Sequence, residues 1–238
     1  MKCLILAGGF ATRLYPLTLN KAKALLEYKG KPLITHIVDR IPKDVDILVS
    51  MNKKFEGDFH VWQETIDRAV EICVEEATTD EQKKGAIGAV DYWIKSKNIN
   101  EDLMVLAGDN YFELDLNQLI NQFSGEKVVI AVYDVGDKSK ACEIGKACQI
   151  GLVTLDERKV VRFDEKPLEA TSSLIATGIY IIPRRVFSLL AEYCAEGKKD
   201  NLGSFIAHLL DRDEVEAYIS TELWIDIGDE IKKGRVTF

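Results

Sequence analysis

The chain has 238 residues, 47% of them hydrophobic, and a formal net charge of −8. That is enough chain and apolar content for one α/β domain with a substantial core. Charges of both signs are interspersed without a basic run, which excludes an electrostatic footprint for nucleic acid or an anionic membrane, and no stretch approaches the roughly 18 apolar residues of a membrane span.

The first element is an apolar run at residues 3–7, which stops at Gly8 and Gly9 and reads as a buried first strand, not a secretory signal. Residues 45–49, 69–74, 103–107 and 128–132 are similar short runs bounded by Gly, Asp or Lys, as expected of strands buried on both faces of a mostly parallel sheet. Helical stripes fall between them. Ile34, Ile37, Val38 and Ile41 form one, with Pro32 at a first-turn position; Ile87, Val90 and Ile94 form another. Asp115 and Gln118 have the spacing of a capping box ahead of Leu116, Leu119, Ile120 and Phe123. After residue 150 the pattern changes to strands at 150–155, 159–163 and 174–182, without long helices between them. Two helices follow, carrying Val186, Leu189, Leu190, Tyr193 and Cys194, then Leu202, Phe205, Ile206, Leu209 and Leu210. Strands at 215–219 and 223–227 close the chain. The fold expected is α/β, a doubly wound, mixed but mostly parallel sheet with helices on both faces. It is expected as a single domain over 1–238, with an N-terminal half to about residue 125 and a C-terminal half from about residue 126.

Cys3, Cys73, Cys142, Cys148 and Cys194 are odd in number, include no CxxC and have no histidine beside them. Reduced thiols in a cytoplasmic protein are expected, with neither a zinc site nor a disulfide framework. His36, His60 and His208 are scattered and have no metal-ligand spacing.

The chemistry begins where the first strand ends. Leu6-Ala7-Gly8-Gly9 lets backbone N–H groups approach an anion without a Cβ in the way, at the carboxyl end of a strand where ligands of open α/β sheets bind. Arg13 and Lys23 follow as cations for a polyphosphate. The segment is neither a Walker A loop nor a GxGxxG fingerprint, and two glycines alone are equally compatible with an ordinary turn. Taken whole, LAGGFATRLYPLT, then Lys23, Leu25-Leu26 and Lys31-Pro32-Leu33-Ile34, resembles the signature of the sugar-1-phosphate nucleotidyltransferases, which has a Rossmann-like fold. Ala11 stands where that family usually has Gly, and Ala22 where it has Pro; neither change removes a charged group.

The resemblance continues over most of the chain. Lys84-Gly85-Ala86-Ile87-Gly88-Ala89 is similar to the family's base-contacting segment at a helix start, and Gly108-Asp109 to its metal-binding GD segment. Glu165-Lys166-Pro167 resembles its EKP motif, with Gly151 upstream and Thr177-Gly178 downstream. Trp224-Ile225-Asp226-Ile227-Gly228 resembles its W-x-D-I-G. The resemblance implies transfer of a nucleoside monophosphate from a nucleoside triphosphate to a sugar 1-phosphate, with release of pyrophosphate and with Mg²⁺ as cofactor. It implies Asp109 and Asp226 as metal ligands, and Arg13, Lys23 and Lys166 as the other catalytic residues. Leu6, Ala7, Gly8, Gly9 and Gly85 would bind nucleotide; Gly151, Glu165, Lys166 and Thr177 would bind the sugar phosphate. Glucose 1-phosphate with dTTP or UTP is expected first, from family frequency, with mannose- or heptose-1-phosphate guanylyl transfer as the alternative. The common thymidylyl branch has Gln where Asp80 stands, and the stretch 75–84 is longer here. Asp80, Glu81, Lys83 and Lys84 are read as a solvated run. The chain ends at Phe238, so no β-helix or acyltransferase extension is expected, and homo-oligomerisation is left open. Two rival classes fit the sequence less well. A metal-dependent glycosyltransferase usually carries DxD, whereas Asp109 precedes Asn110-Tyr111. A non-catalytic nucleotide-sugar sensor would have no need of the full set of charged residues.

Overall fold

The computed structural model describes residues 1–142 and 148–235. In chain order the elements begin with β1 (Lys2–Leu6), the small strands β2 (Glu27–Tyr28) and β3 (Lys31–Pro32), and α1 (Leu33–Arg40). Next come β4 (Asp46–Asn52), α2 (Glu56–Gln63), β5 (Glu71–Glu75), α3 (Ala86–Ser96), β6 (Leu103–Ala107), β7 (Asn110–Phe112) and α4 (Leu116–Gln122). The rest of the chain supplies β8 (Val128–Asp134), β9 (Gly151–Asp156), β10 (Lys159–Glu165), β11 (Leu174–Ile182), α5 (Phe187–Ala195), α6 (Leu202–Leu209), β12 (Val215–Ser220), β13 (Trp224–Asp226) and α7 (Ile227–Lys232).

Nine strands form one mixed sheet in the order β5-β4-β1-β6-β11-β8-β12-β10-β9. β1 lies between β4 and β6, parallel to both, and β5 extends the parallel set. β11 runs antiparallel between β6 and β8, and β8 is parallel to β12. Apolar side chains alternate between two cores. Cys3 and Ile5 face α1, α2 and α4 with Ile34, Ile37, Phe59 and Leu119; Leu4 faces α3, α5 and α6 with Ile87, Val90, Phe205 and Ile206. Burial on both faces explains why the inner strands are unbroken apolar runs. The structure is the expected doubly wound α/β fold with a mixed sheet; neighbours are parallel from β5 through β6 and between β8 and β12, and antiparallel where β11, β10 and β9 pair.

Several local expectations change. The strand expected at 223–227 is shorter and leaves the main sheet. β13 pairs antiparallel with β7, so that Asp226 lies opposite Asn110. Pro32 precedes α1 instead of occupying its first turn, because it is already paired in the β2–β3 hairpin. Asp115 does cap α4, accepting the Asn117 N–H at 2.9 Å, but the Gln118 side chain turns to Asp115 itself and not to the cap backbone. The structure also joins Cys142 and Cys148 in a disulfide with Cα atoms 4.8 Å apart, contrary to the expectation of thiols throughout. Both belong to a small satellite core with Leu152 and Ile175, and that shared burial brings them together. Cys3, Cys73 and Cys194 are buried thiols. Among the described residues no helix is long and apolar enough to cross a membrane.

Candidate active site

The carboxyl ends of β1, β4, β5 and β6 open into one crevice. Its floor is a backbone weave: Ala7 N–H donates to Ser50 O at 2.7 Å, and Gly108 N–H donates to Leu6 O at 2.9 Å. A Cβ on Gly108 would stand 2.8 Å from Leu6 O, so a side chain there would separate β1 from β6. Beyond Gly8 and Gly9 the chain turns through Ala11, which takes φ 48° and ψ 41°, left-handed values that a glycine would adopt without strain. Leu14 N–H at 2.9 Å and the Thr18 hydroxyl at 2.8 Å both donate to Ala11 O and hold this turn. The turn therefore keeps its left-handed conformation despite the added methyl.

Two adjoining cavities follow. One, of about 330 Å³, is walled mainly by Leu6, Ala7, Gly8, Ala86, Ala89 and Leu202. The other, of about 460 Å³, carries Arg13, Lys23, Lys83, Lys166 and Lys232 with Asp80, Asp109 and Asp226. Lys23 and Asp109 line both, so an apolar compartment leads into a strongly charged one across a shared wall.

At that wall Lys23 Nζ lies 2.9 Å from Asp109 Oδ2 and 3.2 Å from Asp226 Oδ1. The ammonium is buried, which alone would lower its pKa, but the two carboxylates outweigh burial and raise it. Asp226 is pulled the other way. Burial would raise its pKa, yet Lys23 and the N–H groups of Gly228 and Asp229 bring it below the usual aspartate value. Those N–H groups, at 2.8 and 3.3 Å, make Asp226 the N-cap of α7. An aspartate between two isoleucines thus has its partners in a helix start and a lysine. A Cβ on Gly228 would fall 2.8 Å from Lys23 Nζ, so a side chain there would shift the ammonium from its place between the carboxylates. Two aspartate oxygens converging on a single bound cation are a donor set that suits a hard divalent metal.

The remaining expected residues are placed as follows. Arg13 is exposed on the charged cavity, with Nη1 3.5 Å from Gln149 Oε1. Glu165 ends β10, packed so closely that a Cβ on Gly203 would collide with it and one on Gly151 would approach to 3.3 Å. Burial raises the Glu165 pKa, and Lys166, 3.7 Å away, partly offsets this. The chain turns at Lys166, at φ 49°. Gly85 lies at φ 77°, where a Cβ would collide with Lys199 O. The start of α3 is therefore closed by the 199–200 loop, through Ala86 N–H to Asp200 O at 2.8 Å. Thr177 stands apart from these cavities. It is 2% exposed, its hydroxyl donates to Ala131 O at 2.8 Å, and its own carbonyl accepts from Trp224 Nε1 at 2.9 Å. Its side chain is committed to the core, so the role expected for it in sugar binding is not supported by its position.

Sequence reasoning passed over two groups on the crevice wall. Lys83 and Asp80, read as solvated, pair at 2.9 Å and line the charged cavity. Glu75, at the end of β5, lines the apolar cavity although it is 5% exposed. Its position directly after the apolar run at 69–74 is the available signal.

A doubly wound sheet with a glycine loop, an apolar compartment and a charged compartment at its strand ends defines an α/β protein with a ligand crevice at the carboxyl ends of its strands. The chain belongs to the nucleotidyl transferase family, whose model matches residues 2–231. It is 30% identical over 240 residues to a candidate mannose-1-phosphate guanyltransferase of Sulfolobus acidocaldarius, an alignment covering 96% of this chain and 60% of that protein. It is 29% identical over 192 residues to the UTP–glucose-1-phosphate uridylyltransferase AglF of Haloferax volcanii, covering 79% of this chain and 74% of the relative. A crystal structure described as a candidate glucose-1-phosphate thymidylyltransferase of Bacillus anthracis superposes with a TM-score of 0.82 at 25% identity, covering 100% of this chain and 97% of that one. Against the first curated relatives the chain spans roughly half to three fifths of their length.

Proposed function

We propose that the chain transfers a nucleoside monophosphate from a nucleoside triphosphate to a sugar 1-phosphate and releases pyrophosphate. The observation that carries this reading is the Lys23–Asp109–Asp226 cluster at the junction of a nucleoside-sized apolar cavity and a charged one lined by five basic and four acidic side chains. A molecule that is flat and apolar at one end and polyanionic at the other spans both. The relatives support the same class, and their names divide over the base: guanyl, uridylyl and thymidylyl transfer are each represented.

In this reading an oxygen of the sugar phosphate attacks the α-phosphorus, the bond from that phosphorus to the β-phosphate bridging oxygen breaks, and pyrophosphate leaves with the electron pair. The attacking oxygen is already ionised at neutral pH, so no general base is required. What the protein supplies is alignment and neutralisation of two anions. Leu6, Ala7, Gly8, Gly9 and Gly85 border the nucleoside; Arg13 meets the departing pyrophosphate; Lys23 moves from the aspartates to a phosphate. Asp109 and Asp226 would hold Mg²⁺, which contributes Lewis-acid polarisation of phosphate oxygens when bound. Lys166 takes the acceptor phosphate, and Glu165, beside Gly151, accepts hydrogen bonds from sugar hydroxyls. Pyrophosphate release from a matrix of triphosphates against sugar 1-phosphates tests the proposal. One strongly preferred pair with stoichiometric nucleotide sugar is expected; release of nucleoside diphosphate, or no turnover in any cell of the matrix, would refute it.

A further inference from the structure

We infer that Glu75 makes the apolar cavity selective for guanine, its carboxylate accepting the adjacent N1–H and N2–H donors of GTP. This rests on the reading of that cavity as the nucleoside pocket. Glu75 stands at the carboxyl end of β5 and lines the cavity together with Gly8, Ser50 and Gly85. Its Oε1 atom faces Gly8 so closely that a Cβ there would stand 3.1 Å away.

The hydrogen bonds around Glu75 have a fixed polarity. Trp93 Nε1, which can only donate, gives its proton to Ser50 Oγ at 2.8 Å. Ser50 in turn donates to Glu75 Oε1 at 2.6 Å. The Lys84 backbone and ammonium also favour the ionised, accepting form of the carboxylate. These protein partners are all donors, so Glu75 is held as an acceptor, and its remaining lone pairs are available to a ligand that brings donors of its own. Among the common bases only guanine presents two neighbouring N–H donors on its Watson–Crick edge. Uracil and thymine offer one N–H flanked by carbonyl oxygens, which a carboxylate repels. Adenine and cytosine place a ring-nitrogen acceptor beside their amine. A site built from buried acceptors excludes these bases by leaving like groups opposed.

The test is equilibrium binding by calorimetry, with the full chain, magnesium present and no acceptor, so that transfer activity plays no part. GTP is expected to bind on the order of 100-fold more tightly than UTP, dTTP or ATP, and ITP, which lacks the 2-amino group, about 10-fold more weakly than GTP. Glu75→Gln keeps an acceptor but adds a donor, the pattern that suits a pyrimidine edge. It is expected to weaken GTP and strengthen UTP and dTTP. Tighter binding of UTP, dTTP or ATP by the unaltered chain would overturn the inference, as would equal affinity for GTP and ITP, or a Glu75→Gln variant weakened equally for all bases. Binding without base preference would leave the transfer proposal standing, whereas failure of every triphosphate to bind would overturn both. The comparison of GTP with ITP needs no variant and decides the matter even if Glu75→Gln fails to fold.

Discussion

Lys23 is the residue on which the site turns. Its ammonium sits between two carboxylates that would otherwise repel one another. Breaking a fully buried pair costs roughly 3–5 kcal/mol; with the Asp109 side chain 47% exposed, the cost of Lys23→Met should be about 1–3 kcal/mol in metal-free buffer. If the two aspartates form the metal site, Mg²⁺ without nucleotide should raise the melting temperature of that variant more than that of the parent chain, because the resident cation no longer competes. Equal shifts in a thermal-unfolding titration would contradict this. Glu75 carries a second prediction. Burial raises its pKa above the usual glutamate value, despite the Ser50 hydrogen bond that opposes the shift. The folded state therefore holds that proton more tightly than the unfolded state. Stability must fall as pH rises from the ordinary glutamate range through the raised value, which is the reverse of a salt-bridged carboxylate. Glu75→Gln lacks this term, so its unfolding free energy should gain on that of the parent over the same interval. Parallel curves from denaturant titrations across pH would refute it.

At the scale of elements, two left-handed positions respond in opposite ways. Ala11 bears a conformation that costs an L-residue about 1–2 kcal/mol, so Ala11→Gly should stabilise the chain by about 1 kcal/mol after allowing for the freer unfolded state. Gly85→Ala adds both that strain and a collision with Lys199 O, and should destabilise by about 2–4 kcal/mol while loosening the start of α3. Chemical denaturation of both variants checks the pair. Elements were legible in the sequence where hydrophobic pattern alone decided them. The run at 174–182 became β11 without a shift of boundary, and the stripe from Ile34 became α1. α2 escaped notice because Phe59 and Trp62 are its only buried side chains, too few to set a period. The 223–227 run was seen as a strand, but which sheet it joins depends on β7, and pairing partners are not encoded in a single apolar run.

At the scale of the whole molecule, residues from distant parts of the sequence meet at one end of one sheet. Lys23, Asp109 and Asp226 lie 86 and 203 positions from one another along the chain, counting from Lys23. Their motifs could be read locally, but the ion triad they form could not, since it requires β13 to be laid against β7. Thr177 shows the converse: it belongs to a segment that resembles a site motif, yet it lies inside β11 and the sheet buries its side chain. Glu75 ends an apolar run just ahead of the charged stretch at 80–84, and only the closure of the crevice shows that it is a buried carboxylate on one cavity while Asp80 and Lys83 line the other. The central claim is attack at the α-phosphorus, and it is tested most directly by following that atom. Each triphosphate, labelled at its α-phosphorus, is incubated with magnesium and a mixture of sugar 1-phosphates, and the label is traced after separation. The label should move into a nucleotide sugar, in amounts equal to the unlabelled pyrophosphate released, and Asp226→Asn should abolish both together. Label retained in nucleoside diphosphate, or appearing only in free monophosphate, would contradict the account.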